Sequence, residues 1–109
     1  MRRKSIVILS LHTPREKIWG VLLSINSFGV TVRGIDINSF DDWCRSVANH
    51  TQTMGLSTMF IPMMRIEKVT MDETIGSYKS FSDQFQDRAG KSVLEFIEIP
   101  DDDDDELTI

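Results

Sequence analysis

Apolar positions along this chain follow two rhythms, and the first is that of a β-hairpin. Residues 18–25 and 30–37 form two arms rich in aliphatic and β-branched side chains, which suit a pleated, half-buried surface. The second arm alternates. Val30, Val32 and Gly34 share one side, while Thr31, Arg33 and Ile35 share the other, the period-2 pattern of a strand with one partly solvated face. Asn26-Ser27-Phe28-Gly29 supplies the turn, since Asn tolerates left-handed backbone and Gly adopts it without steric cost. Gly20 stands early in the first arm. A strand glycine marks a bend or a close backbone approach, and a long strand bent there serves two sheets, as a small barrel requires. An ordinary hairpin in some other α+β domain is the competing reading.

The remaining elements fit around this hairpin. Residues 5–11 contain the continuous apolar run Ile6-Val7-Ile8-Leu9, expected of a strand covered on both sides. A polar connection, 12–17, contains Pro14. The rhythm then changes: Phe40, Trp43, Cys44 and Val47 fall on one helical face within 38–49. Ser39 followed by Asp42 reads as the start of that short inserted helix. After a loop at 50–57, strand character returns at 59–61 and 66–71, separated by Pro62 and the tight connection Met63-Met64-Arg65. An exit loop at 72–79 leads to a helix capped by Ser80 or Ser82, carrying Phe81, Phe85 and Ala89 and ending at Gly90. Ser92 and Glu95 form a capping-box pattern ahead of Val93, Leu94 and Ile97. These two helices are expected to cover an open barrel end or a sheet face. The expected fold is mainly β: a five-stranded SH3-like or Sm-like barrel over 5–72 with a helical insert at 39–49, then a helical segment at 73–100.

Charge changes the picture only at the ends. The chain of 109 residues carries 12 Lys and Arg against 17 Asp and Glu, a net charge of -5. Six of those acids are Asp101–Asp105 and Glu106, leaving 11 against the 12 bases. The body is therefore nearly neutral and lacks the basic stripe of a general nucleic-acid binder. The like-charge run at 101–109 is expected to remain solvated and disordered. Five consecutive Asp lack the spaced ligands of a calcium loop, so a solubilising role is the simplest reading. Opposite charge alone also suggests that it folds back on Arg2, Arg3 and Lys4, a basic N-terminal tail at 1–4. One cysteine, Cys44, permits no intrachain disulfide and no cysteine metal cluster. The basic start and short apolar run lack a signal-peptide cleavage site, and no stretch is long enough to span a membrane. The expectation is a cytoplasmic protein with no membrane partner.

The segment Gly20-Val21-Leu22-Leu23-Ser24-Ile25-Asn26-Ser27-Phe28 resembles the first motif of the Sm-like family of small β-barrels, in which a bend glycine leads to apolar residues, an acid or amide, and an aromatic. Ile66-Glu67-Lys68-Val69 resembles the end of its second motif. The bacterial RNA-chaperone branch, Hfq, is the nearest. This resemblance covers residues 5–72 apart from the insert. It implies a homo-oligomeric ring in which the fourth strand of one subunit pairs with the fifth of the next, and RNA contacts just before the final strand. At that place here stand Met63, Met64 and Arg65.

Asn26, Phe28 and Arg65 are thus the candidate RNA-binding residues, by hydrogen bonding, base stacking and phosphate contact. The competing reading gives Asn26 to the turn and Phe28 to packing. Methionines cluster at Met54, Met59, Met63, Met64 and Met71, and methionine is common on adaptable binding surfaces. Met59, Ile61, Met63, Met64 and Val69 are accordingly the candidate protein interface. His12 and His50 lack zinc-ligand spacing. Cys44, on the apolar helix face, is expected to be structural rather than a nucleophile. Asp41 and Asp42 suit a helix's first turn. No catalytic, metal-binding or cofactor-binding residue is expected. The functional expectation is a non-enzymatic binding or assembly module that self-associates through edge strands. An Sm-like RNA-binding protein is the alternative, and a small enzyme the least favoured.

Overall fold

The computed structural model describes residues 1–51 and 53–97. The expected acidic tail at 101–109 and the end of the C-terminal helical segment lie outside the described residues. Five strands, β1 (Ile6–Leu11), β2 (Glu16–Ile25), β3 (Gly29–Asp36), β4 (Ser57–Pro62) and β5 (Ile66–Met71), make one antiparallel sheet in the order β4-β3-β2-β1-β5. The 18–37 hairpin is its centre, as β2 and β3. Glu16 and Lys17, expected in the connection, instead extend β2 by pairing with Leu11 and Ser10.

The sheet curls strongly. A 3-10 turn, Met63–Arg65, joins β4 to β5, the two edge strands. A 3-10 segment advances about 2 Å per residue, whereas four strand spacings in a flat sheet measure about 19 Å. The end of β4 and the start of β5 must therefore approach one another. Gly20 and Gly34 accommodate the bend, facing each other across the β2–β3 pair. A Cβ on Gly20 would stand 2.5 Å from the Arg33 carbonyl oxygen and 2.7 Å from the Gly34 Cα. The register also shifts between Leu22 and Ser24, the mark of a bulge that re-aims a strand.

Period-2 alternation then builds two cores. Val7, Leu9, Leu11, Ile18, Leu22, Val30, Val32 and Ile61 fill the concave side. Trp19 and Val21, on the other face of β2, pack against the helices. Ile6 and Ile8 join that second cluster, which explains the unbroken apolar run of β1: both of its faces are covered.

The convex side carries α1 (Phe40–Ala48), α2 (Phe81–Ala89) and α3 (Val93–Phe96). Phe40, Trp43, Cys44 and Val47 of α1 are all buried, as their spacing predicts. Trp43 stacks on Phe85 at 4.7 Å between ring centroids, and Trp19 meets Phe40 edge-on at 5.0 Å. Such rings are the largest apolar contributors to a small core. The C-terminal helices therefore cover a sheet face. Ser39 makes no side-chain cap to α1; the carboxylate of Asp36 instead accepts from the Asn38 amide at 2.8 Å, capping the 3-10 turn Ile37–Ser39 that precedes it. Ser80 caps α2 and left-handed Gly90 ends it, while Ser92 and Glu95 complete the expected capping box of α3.

Candidate interaction surface

The tip of the β2–β3 hairpin is built by Asn26. Its side-chain oxygen accepts from the amides of Phe28 at 2.8 Å and Gly29 at 3.3 Å. This turns the chain sharply and leaves Phe28 76% exposed. Asn26 thus serves the turn, as the simpler reading has it, while Phe28 projects outward instead of packing. The Phe28 carbonyl accepts from the Met63 amide at 2.9 Å, tying the tip to the β4–β5 turn. Gly29 is required here, because a Cβ would meet the Ile61 carbonyl oxygen at 2.3 Å and the Phe60 ring at 2.7 Å. Ile25, Phe28, Phe60, Met63 and Met64 are all exposed, with Met64 at 81%, and all fall at or within a few positions of the hairpin tip and the β4–β5 turn bonded to it. Isolated exposed hydrophobics need no explanation, whereas a gathered patch marks an interaction surface. Phe60 and Ile25 were not singled out by sequence reasoning. Their strand pattern does not distinguish a covered face from an uncovered one.

Arg65, at the end of the same turn, points elsewhere. Its guanidinium donates to the carbonyls of His12 at 3.3 Å and Pro14 at 2.8 Å and to Glu16 Oε1 at 3.2 Å. It fastens the β1–β2 loop to the β4–β5 turn. Ile61 is buried on the concave side, so it supports β4 from within and does not face outward. Met59 and Val69 are half-buried against that same cluster, while Met63 and Met64 lie open. The structure thus brings Phe28, Met63 and Met64 together at one end and assigns Asn26, Arg65 and Ile61 to holding the backbone.

The two sheet edges differ in character. Ser57–Pro62, β4, contains no charged residue, and Pro62 closes it. In β5, Glu67 and Lys68 are exposed. Charges and prolines are the ordinary protection of an edge strand, so β4 is open to pairing along most of its length.

A shallow cleft beside the end of α1 is lined by Asp42, Arg45, Asn49, Thr51 and Thr53, but Arg45 donates to Asp42 at 2.9 Å within it. Burial pushes the Cys44 thiol up to about 11, against a smaller opposing effect of Arg88, which keeps it protonated and unreactive. Among the described residues no group of three His, Cys, Asp or Glu side chains is placed to hold a metal ion. No described helix is long and apolar enough to cross a membrane.

No family model matches this chain, and none of the curated proteins or solved structures compared with it is significantly similar.

Proposed function

We propose that this protein is a non-enzymatic assembly module that associates with copies of itself through its sheet edges. One observation carries the reading: a curled five-stranded sheet whose outer strands, β4 and β5, have no described neighbour beyond them, with β4 free of charge. The concave cluster draws side chains from all five strands once Ile66 and Val69 are counted. We infer from this, and from the short β4–β5 turn, an SH3-like or Sm-like barrel whose seam lies between those strands. Pairing β4 of one copy with β5 of the next uses unlike surfaces. Such head-to-tail contacts close into a ring when the rotation allows. Backbone groups supply the hydrogen bonds, and the exposed Thr58 and Phe60 would stand beside the neighbouring strand.

An Sm-like RNA-binding role is the second reading, favoured by the exposed Phe28 ring, which is free to stack on a base. The two separate on salt. Phosphate-driven binding weakens steeply as salt rises, whereas edge pairing does not. Light scattering tests the first reading, and fluorescence anisotropy of a labelled single-stranded RNA at two salt concentrations tests the second.

A further inference from the structure

The exposed hairpin end has a basic neighbour. The N-terminal residues continue β1 along β2: the Lys4 amide donates to the Leu22 carbonyl at 2.7 Å, and Arg3 Nη1 donates to the Leu23 carbonyl at 3.1 Å. Residue 25 lies two positions beyond Leu23, about 7 Å along a strand. Arg2 and Lys4 are exposed at this place. Carboxylates are missing from β4 and from the near parts of β2 and β3: no Asp or Glu occurs between Lys17 and Ile35 or between Trp43 and Ile66, while Asp72 and Glu73 follow β5 on the other side of β1. The surface is thus apolar at its centre and cationic at its rim. It fits a segment that carries acids followed by large apolar side chains.

The chain itself contains such a segment. Residues 101–106 are all acidic, and Leu107 and Ile109 follow at alternate positions. We propose that the hairpin end is the docking site of this C-terminal segment, with the carboxylates of 101–106 against Arg2 and Lys4 and with Leu107 and Ile109 against Phe28, Met63 and Met64. Length permits it. The 12 residues after Ile97 reach about 40 Å when extended, and the longest dimension of the described molecule is 38 Å. Tethering favours it as well, because a linked segment acts at an effective concentration of about millimolar without any new contact. The occupant is independent of whether copies associate through β4 and β5.

Paramagnetic relaxation in the full-length protein tests this. A nitroxide is attached through Thr108→Cys in a Cys44→Ala background, and the methionine methyl signals are recorded. The expected result is at least a threefold loss of intensity at Met63 and Met64 relative to Met71. That loss should be reversed by Arg2→Ser with Lys4→Ser, by Phe28→Ser, or by high salt. Equal effects at all three methionines, or a loss that ignores these changes, would overturn the proposal. So would a Met64 signal that moves with protein concentration and not when Asp101–Asp105 are changed to Asn, since the site would then belong to a second copy.

Discussion

The indole Nε1 of Trp19, in the middle of β2, donates to Asp72 Oδ2 at 3.0 Å. The same carboxylate accepts from the Phe81 amide at 2.9 Å, the Ser82 amide at 2.8 Å and the Ser82 hydroxyl at 2.7 Å. One side chain at the exit of β5 thus anchors the start of α2 to the central strand, with its negative charge at the positive end of that helix.

Asp72→Ala is expected to lower stability by about 3 kcal/mol, because hydrogen bonds to a charged group are worth more than neutral ones and their donors are left half-buried. Asp72→Asn should cost less than Asp72→Ala, since an oxygen in the Oδ2 position keeps three of the four bonds and only the Phe81 amide then faces a donor. Urea unfolding checks this through a lower midpoint at unchanged slope. A loss under 0.5 kcal/mol, a change of about the size expected at an ordinary surface site, would show that the network is ornamental.

The glycine pair makes a sharper comparison. Gly20→Ala and Gly34→Ala both drive a Cβ into backbone, to 2.5 Å and 2.2 Å from carbonyl oxygens, and backbone in a paired strand cannot swing aside. Each should cost about 2–3 kcal/mol, in the upper range of overpacking. Gly55→Ala has nothing within 4 Å and no left-handed backbone to strain. It should be neutral or slightly stabilising, through a stiffer unfolded chain. Thermal melts of the three variants check the order.

Cys44 makes a prediction about pH. Its folded pKa of about 11 exceeds the ordinary value of 9.0. Between those values the folded state holds a proton that the unfolded state has lost, so stability falls as pH rises. The contribution is complete below pH 9 and is lost as pH passes through about 11. Melting temperatures followed from pH 8 to 11 should fall less steeply in Cys44→Ala than in the parent chain. The native thiol should also resist alkylation at pH 8 until the protein is unfolded.

Much of this fold was legible because it depends on local chemistry. The hairpin followed from alternation and from Asn26 to Gly29, α1 from the spacing of Phe40, Trp43, Cys44 and Val47, and α3 from its capping box. What escaped depended on contacts distant in the chain. Asp72 reads as an ordinary loop acid until β5 carries it beside Trp19, 53 positions away. Arg65 reads as a free cation until the curled sheet brings His12, Pro14 and Glu16 within its reach. The interaction surface was half legible. Met63 and Met64 stood out by type, whereas Ile61, in the same stretch, is turned inward by the period of its strand.

The central claim concerns assembly, and mass in solution tests it most directly. Light scattering should be recorded at two protein concentrations and two salt levels, for the parent chain and for Thr58→Lys with Phe60→Lys, which places charges on the exposed side of β4. The account predicts a discrete multiple of the 12.5 kDa chain mass, larger than a dimer and steady across all four conditions, that collapses toward monomer in the double variant. A parent chain that stays at 12.5 kDa, or at twice that mass, would contradict it.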